Sequence, residues 1–342
     1  MRAARIHQFG GPEVIRIDEV EPPRPGRGQV VIDVTASVLG HLDADVLRGV
    51  SRLDVPLPHT LGFEAVGRIS ALGEGVTGWQ LGDRVLPAIH NTCGRCGFCR
   101  SGRDSLCGDR QFMGKAFADK MLCSADHLTR LDSLVGGDLP DEQVIAVPTS
   151  FGTAWHMLFT RGRLAVGETV LVSSVGSGIG SAAVQLAKLA GARVIGTAST
   201  DEKLDRAADL GMDVGINYTR QDVVAEVMAA TGGRGADLTY EHVGGEAFQH
   251  GLEALGVDGR LVTCGAHAGE VVDFDIIPFF RKQLAVIGSY GYTKVEVTRC
   301  MELAARGDIR PVVHQVLPLD EVGKAMTMME RREQFGRIVL VP

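Results

Sequence analysis

Short apolar runs alternate with helical segments through the second half of this 342-residue chain, and this alternation most constrains its fold. The first run is Thr169–Ser173, and an amphipathic pattern through Leu189 follows it. Later runs at 193–196, 236–240, 259–263 and 284–287 continue the series. Strands that are separated by helices pair in parallel and are covered on both faces. With a further strand expected just before Tyr218, the alternation predicts an α/β fold with a doubly wound parallel sheet of six strands.

The turn after the first strand is rich in glycine and opens the helix that follows. Glycine lets a backbone approach a pyrophosphate closely, and the helix N-terminus then faces the phosphates. The position between strand and helix predicts a dinucleotide site, with a tight turn that binds no ligand as the alternative. The candidate contacts are Ser174, Gly176, Ser177, Gly178 and Ile179.

The end of the second strand indicates which dinucleotide is expected. An NAD site usually has an acidic residue there, about 20 residues after the first glycine, on the ribose 2′-hydroxyl. Here the first carboxylate is Asp201, and hydroxyls precede it, which favours the 2′-phosphate of NADPH. The other interpretation is structural: Thr200 caps the following helix, and the Lys203 side chain lies in solvent. The cofactor role and the structural role can both be true. The residues assigned to this part of the site are Thr197, Ser199, Thr200, Lys203 and Tyr218, with Arg220 as a further candidate.

Four of the seven cysteines lie within fifteen residues. Their spacing is C-x2-C-x2-C-x7-C, and glycines separate the first three. Four thiolates at such spacing can surround one tetrahedral zinc and leave no open position for a substrate. The pattern predicts one structural zinc held by Cys93, Cys96, Cys99 and Cys107.

Composition excludes several classes of function. The chain has 35 basic and 42 acidic residues, a net charge of −7, which argues against nucleic-acid binding. No run of 18 apolar residues occurs, so no membrane span is expected. The first residues lack the apolar core of a signal peptide, and the cysteines read as a metal site, so we expect a cytoplasmic protein.

The first part of the chain has a different sequence pattern, in which short strand-like runs such as Gln29–Val34 stand between turn-forming residues. Three prolines in Glu21–Gly26 mark a loop, because proline cannot join a sheet ladder. This part is predicted to form an irregular, mainly β domain, and the length of the chain suits two domains in all.

Several motifs together resemble the medium-chain dehydrogenase/reductase superfamily, which includes zinc alcohol dehydrogenases and quinone oxidoreductases. They are the four-cysteine segment, the glycine turn, LGFEAVG at 61–67, GDRV at 82–85 and FGRIVL at 335–340. The resemblance implies a GroES-like catalytic domain at 1–147 and 290–342, with a zinc lobe at about 90–110. It implies a Rossmann dinucleotide-binding domain at 148–289.

The chain departs from the zinc alcohol dehydrogenases at the positions that hold their catalytic zinc. The first and second ligand positions correspond to Leu39 and Phe63, and the third falls near Thr149. Leucine and phenylalanine cannot ligate a metal, so the usual catalytic zinc is expected to be absent. The cysteine segment is kept, although quinone oxidoreductases generally lack it.

The resemblance also suggests catalytic residues. His41 stands about where related dehydrogenases carry a proton-relay hydroxyl, and imidazole titrates near neutrality. A histidine that is hydrogen-bonded to Asp43 in a turn is the alternative. The candidate catalytic residues are His41, Asp43 and Thr149, and Thr149 and Thr153 are expected near the nicotinamide.

Further cofactor contacts implied by the resemblance follow the last three strands of the parallel sheet. The sixth strand is an edge, which in this superfamily joins two sheets across a two-fold axis, so a homodimer or a tetramer is expected. The implied contacts are Val243, Gly265, Ala266 and Ser289, with Gly244 beside the first of them.

Together these features predict an NADPH-dependent oxidoreductase that reduces α,β-unsaturated carbonyls or quinones, small molecules, without a catalytic zinc. One alternative is a zinc alcohol dehydrogenase whose ligands have moved to His41, Asp43, His59 and Glu64. Another, of a different class, is a non-catalytic protein that binds NADPH.

Overall fold

The computed structural model describes residues 1–135 and 139–342 of the chain. These residues form two compact units, Met1–Ala146 with Val313–Pro342, and Val147–Val312. Within the described ranges, no helix combines the length and the apolar character that crossing a bilayer requires.

The first unit is built mainly from β-structure, as its sequence predicted. Its largest sheet has seven strands. Among the described residues, one pair in this sheet is parallel, Val313–Pro318 with Arg337–Val341, and the other pairs are antiparallel. In spatial order the strands of its central path are Leu128–Arg130, Arg84–Pro87, Ala65–Leu72, Gln29–Val38, Arg337–Val341 and Val313–Pro318, and Lys120–Ser124 pairs with Gln29–Val38. Glu21–Gly26 lies outside any strand, in agreement with its three prolines.

Two smaller sheets complete the β-structure of this unit. A three-stranded antiparallel sheet joins Ile15–Glu19, Arg2–Ile6 and His59–Thr60. A two-stranded ribbon, His90–Asn91 with Gln111–Phe112, brackets the cysteine segment. The helices of the unit are His41–Arg48, Gly97–Arg100, Asp132–Val135, Asp141–Val144 and Val322–Glu330, with 3-10 turns at Pro12–Val14, Asp104–Leu106, Ala125–His127 and Leu319–Glu321.

The second unit confirms the predicted doubly wound sheet. It has six strands, all parallel, and the strand order places the glycine turn near the middle of the sheet. In spatial order the strands are Val214–Asn217, Arg193–Ala198, Thr169–Val172, Ala236–Glu241, Leu255–Thr263 and Ala285–Gly288. The helices are Gly178–Leu189, Asp201–Ala208, Val223–Ala230, Gly245–Glu253, Ile276–Arg281 and Lys294–Ala305, and one further helical segment covers 148–161.

The second unit continues to Val312, whereas the family resemblance implies a Rossmann domain that ends at residue 289. The helix Lys294–Ala305 belongs with this unit because Glu296 pairs with His156 of the helical segment 148–161. Thr293 caps this helix, and the strand Val313–Pro318, which follows it in the chain, belongs to the first unit.

Candidate functional site

The glycine turn connects the first parallel strand to the helix Gly178–Leu189. Ser177 is the N-cap of this helix, and its hydroxyl accepts a hydrogen bond of 2.9 Å from the amide of Gly180. A Cβ atom at position 180 would lie 2.3 Å from the carbonyl oxygen of Ser174, so only glycine fits there. The turn therefore has the tight backbone that a pyrophosphate-binding turn needs.

The second strand is tied to this turn by Thr197. Its hydroxyl accepts a hydrogen bond of 3.1 Å from the Ser174 amide, and its carbonyl accepts one of 2.9 Å from the Val175 amide. Thr197 is buried and Ser199 is half-buried. The hydroxyl of Thr197 thus fixes the shape of the turn, while Ser199 stands at the strand end.

The helix that follows the second strand has Thr200 as its N-cap, as one of the two interpretations of this segment predicted. Thr200 caps it, with the Lys203 amide 3.4 Å from the threonine hydroxyl. The Lys203 side chain also lies across Gly176, where an added Cβ would be 2.9 Å from the lysine Cδ. The lysine therefore packs on the glycine turn rather than pointing away from it.

The carboxylate of Asp201 is already engaged. It accepts hydrogen bonds from Asn217 Nδ2 at 2.9 Å and from Arg220 at 2.7 Å, and these lower its pKa. Tyr218 lies beside this group and is exposed. Lys203 thus follows the second strand and Arg220 follows the third, and the carboxylate of Asp201 is paired with Arg220.

The ends of the fourth and fifth strands are held together by a buried carboxylate that the sequence analysis did not single out. Glu241 Oε1 accepts hydrogen bonds from the amides of Val243 at 2.5 Å and Gly244 at 2.8 Å, and Oε2 accepts one of 2.9 Å from the Thr263 hydroxyl. Glu241 is fully buried. In the sequence, Glu241 could have been noticed as an acidic residue at the end of an otherwise mostly apolar strand.

The remaining predicted contacts cluster around the same strand ends. Gly265 lies against the backbone of His242, and Ala266 against that of Gly244. His242 in turn lies 2.9 Å from the Ser177 hydroxyl, through its Nε2. The structure thus brings the turns after the first, fourth and fifth strands together.

Ser289 follows the sixth strand, and its amide bonds to the Thr263 carbonyl at 2.8 Å. Its hydroxyl oxygen is buried and has no hydrogen-bond partner among the described residues. A buried hydroxyl without a partner costs stability unless a ligand satisfies it. Together with the glycine turn and Lys203, this fits a nicotinamide dinucleotide.

The cysteine segment forms a compact group of sulfur atoms in the first unit. The four Sγ atoms of Cys93, Cys96, Cys99 and Cys107 lie within 4.8 Å of one another, and the Cys93–Cys99 distance is 4.0 Å. Tetrahedral coordination with zinc–sulfur bonds of about 2.3 Å requires sulfur separations of about 3.8 Å. The donor set and its spacing therefore fit the predicted structural zinc.

Backbone amides already polarise this group. Hydrogen bonds from the amides of Arg95 and Cys96 lower the pKa of Cys93 to about 6. Burial raises the pKa of Cys99 to about 12, an effect that a coordinated cation reverses because the metal-bound form is the thiolate. Within the described residues, these cysteines are also the one group of histidine, cysteine or acidic side chains that converges closely enough to hold a metal.

The helix His41–Arg48 places two predicted catalytic residues. His41 is its first residue and is exposed. Asp43 is buried, and its two carboxylate oxygens accept hydrogen bonds from the amides of Gly40 at 2.8 Å and Gly62 at 3.1 Å. Burial raises the pKa of Asp43 to about 7. Asp43 thus caps its helix and ties it to the 62–64 turn.

Leu39 and Phe63, at the positions of two zinc ligands in the zinc alcohol dehydrogenases, belong to one buried apolar cluster. Phe63 also packs edge-on against Phe112, with ring centroids 5.6 Å apart. Beside them, Glu64 forms a buried ion pair with Arg337 at 2.9 Å. His41, Asp43, His59 and Glu64 do not form a ligand set among the described residues.

Thr149 and Thr153 both lie in the helical segment 148–161 of the second unit. Thr153 is buried, and the Thr149 hydroxyl lies 3.2 Å from the hydroxyl of Tyr292. The contact between Tyr292 and Thr149 could not be predicted from the sequence, because 143 residues separate them in the chain.

Comparison with known proteins agrees with both units. A model of the zinc-binding dehydrogenase family matches residues 178–306, and a model of the alcohol dehydrogenase GroES-like domain matches residues 26–133. An acryloyl-coenzyme A reductase of Metallosphaera sedula is 29% identical over 333 residues, which is 95% of each chain.

Two solved structures have the same fold over the whole chain. The crystal structure of an NAD-dependent alcohol dehydrogenase is 36% identical, with a TM-score of 0.93 and full coverage of both chains. A mycobacterial quinone oxidoreductase is 26% identical, with a TM-score of 0.80 and full coverage of both chains. With its GroES-like and Rossmann parts, this chain is an oxidoreductase that belongs to the medium-chain dehydrogenase/reductase superfamily.

Proposed function

We propose that this protein uses NADPH to reduce a carbon–carbon double bond that is conjugated to a carbonyl group, in an enone, an enoyl thioester or a quinone, without a catalytic zinc. The observation that carries the proposal is the apolar environment of Leu39 and Phe63, which lie in one buried cluster at two zinc-ligand positions. Neither side chain has a donor atom for a metal.

The reaction class follows from what remains. Reduction of a simple ketone places full negative charge on an alkoxide, which zinc stabilises as a Lewis acid. Reduction of a conjugated double bond places the charge on an enolate, for which hydrogen bonds are sufficient. The similarity to an acryloyl-coenzyme A reductase supports this class, because acryloyl groups carry such a double bond.

A bound nicotinamide cofactor supplies the hydride for this chemistry. The chain's own residues bind it: the tight turn at Gly180 approaches the pyrophosphate, and Ser289 offers a buried hydroxyl at the sixth strand end. Lys203 on the turn and Arg220 near Tyr218 favour the additional phosphate of NADPH. One of the similar structures is an NAD-dependent alcohol dehydrogenase, so the preference for NADPH over NADH has to be measured.

The test is a steady-state screen of the purified protein with NADPH and NADH. Acryloyl and crotonyl thioesters, cyclohexenone, a benzoquinone, simple ketones and alcohols are the acceptors and donors. We expect turnover of the conjugated acceptors with NADPH and about one zinc per chain, from the cysteine group. Turnover confined to ketones and alcohols, with about two zinc ions per chain, would favour an alcohol dehydrogenase.

We also propose that the protein is a homodimer, or a tetramer built from such dimers. Among the described residues, the edge strand Ala285–Gly288 pairs with one neighbour only, and Val286 on it is 39% exposed. Unpaired edges of this kind tend to pair with another chain. A mass measurement by light scattering that gives one chain would contradict this proposal.

A further inference from the structure

Two hydroxyl groups from distant parts of the second unit meet: Thr149 Oγ1 lies 3.2 Å from the Tyr292 hydroxyl oxygen. By the family resemblance, the third zinc ligand of the zinc alcohol dehydrogenases falls near Thr149. A tyrosine hydroxyl is a hydrogen-bond donor and a weak acid. It can therefore stabilise a developing oxyanion, which is the task that a Lewis acid performs in a zinc enzyme.

The ring of Tyr292 packs against Gly152, which has no side chain and so leaves space for the ring. A Cβ atom at Gly152 would lie 2.9 Å from Tyr292 Cγ and 3.1 Å from Val297 Cγ2. Gly152 has ordinary helical backbone angles, so the glycine is needed for space rather than for backbone conformation. The tyrosine ring thus lies directly on the helical segment that carries Thr149.

The residue after Tyr292 is fixed just as firmly. Thr293 caps the helix Lys294–Ala305, and its amide donates a hydrogen bond of 2.7 Å to Glu296 Oε2. Glu296 is buried and contacts His156 Nδ1 at 2.9 Å and the Thr160 hydroxyl at 2.5 Å. These contacts join the start of the helix, next to Tyr292 in the chain, to the same segment, 148–161.

The location suits a catalytic group. Tyr292 comes four residues after the end of the sixth strand at Gly288. Open parallel sheets bind their ligands beyond the carboxyl ends of the strands. Ser289, with its unsatisfied buried hydroxyl, lies between the strand end and the tyrosine.

We propose that Tyr292 is a catalytic residue that takes the place of the missing Lewis acid. In this proposal the Thr149 hydroxyl donates a hydrogen bond to the Tyr292 oxygen, and the tyrosine hydroxyl donates a hydrogen bond to the carbonyl oxygen of the substrate. This inference rests on the proposed function, since it assigns the group that stabilises the enolate.

The step balances without a metal. The β-carbon of the substrate accepts the hydride, the electron pair of the carbon–carbon double bond moves to form the enolate, and its oxygen takes the hydrogen bond from Tyr292. A proton from water then binds the α-carbon, and the carbonyl group is restored. The products are the saturated carbonyl compound, the oxidised nicotinamide and the hydroxide ion that water leaves behind.

The variant Tyr292→Phe keeps the ring on Gly152 and removes only the hydroxyl. We expect it to lower kcat on an enone or enoyl thioester by about 100-fold, the usual cost of one oxyanion-hole donor. The KM of the acceptor, the Kd of NADPH and Tm should stay near their wild-type values. Tyr290→Phe, an exposed tyrosine two residues earlier, is the matched control and should keep wild-type kcat.

A comparison of acceptors separates a catalytic role from a structural one. The reduced oxygen of a quinone is a phenolate, which needs less stabilisation than the enolate of a thioester. The loss in Tyr292→Phe should therefore be much smaller with a quinone, whereas a distorted site would slow both acceptors equally. Equal losses would overturn the proposal.

Wild-type activity separates the two claims. If the wild-type protein reduces conjugated acceptors and Tyr292→Phe is within about threefold of it, the assignment of Tyr292 is wrong and the proposed function stands. If the wild type reduces no conjugated acceptor, the proposed function itself fails. Should Tyr292→Phe not fold, Thr149→Val tests the same pair, and unchanged kcat in that variant would overturn the assignment.

Discussion

Arg337 Nη2 lies 2.9 Å from Glu64 Oε1, and both side chains are almost completely buried, with 11% and 9% of their surface exposed. The pair stands next to Phe63, at the edge of the apolar cluster that also contains Leu39. The second oxygen of Glu64 and the Nε of Arg337 have no hydrogen-bond partner in the described part of the chain. The chain thus keeps a buried ion pair beside positions that have lost their metal ligands.

Removal of one partner of this pair should be costly. Arg337→Met leaves the Glu64 carboxylate buried and unpaired, and we expect a loss of about 3–5 kcal/mol in the free energy of unfolding. Urea unfolding followed by circular dichroism measures it. The double variant Glu64→Leu with Arg337→Met should be more stable than Arg337→Met alone, because it removes the stranded charge. A double variant that is the less stable of the two would contradict this account.

The buried carboxyl of Asp43 should make stability depend on pH. Its folded pKa of about 7 exceeds the ordinary value of 3.8, so the folded state binds its proton more tightly than the unfolded state. This contribution to stability is present at low pH and is lost as pH rises towards 7, by at most about 4 kcal/mol.

The variant Asp43→Asn cannot ionise and tests this dependence. Its free energy of unfolding, relative to wild type, should be lower at about pH 4.5 and recover part of the difference at about pH 7.5. The carboxylate of Asp18, which lies on the strand Ile15–Glu19 and is 2.7 Å from His7 Nε2, provides a comparison in Asp18→Asn. A stability difference for Asp43→Asn that does not vary with pH would show that the carboxyl is ionised throughout this range.

Cys107 should be essential for zinc binding. It is fully buried within the cysteine group, and Cys107→Ser leaves three sulfur ligands. We expect the zinc content to fall from about one per chain to a small fraction of that, with a lower Tm. Elemental analysis measures the metal, and Cys123→Ala, a buried cysteine of another cluster, is the control. Equal zinc in both variants would place the metal elsewhere.

Lys203 should set the preference for NADPH. Its side chain lies on Gly176, and Lys203→Ala removes a positive charge at the second strand end. We expect the Kd of NADPH to rise about tenfold and that of NADH to stay unchanged, as for the loss of one charged hydrogen bond. Quenching of protein fluorescence measures both constants. The control is Lys188→Ala, a lysine paired with Asp213, and equal changes for the two dinucleotides would argue against a phosphate contact.

Local patterns predicted much of this structure. Alternating strands and helices defined the six-stranded parallel sheet, because each apolar run needs cover on both faces. The cysteine spacing predicted a group that the fold does bring together. Both signals lie within short stretches of chain, where spacing alone determines geometry.

The parts that sequence did not predict depend on distant contacts. Tyr292 meets Thr149 across 143 residues, and Glu296 meets His156 across 140 residues. Glu241 acts on two neighbouring turns only after strand pairing brings Thr263 beside it. No local pattern marks such partners, because tertiary packing creates them.

The most direct test of a metal-independent reduction of a conjugated double bond is the position of the transferred hydride. NADPH that carries deuterium at C4 of the nicotinamide is oxidised with an enoyl thioester or an enone, and the product is examined by NMR. The account predicts deuterium on the β-carbon, with the carbonyl group intact. Deuterium on the carbinol carbon of an alcohol product would contradict it and would indicate carbonyl reduction.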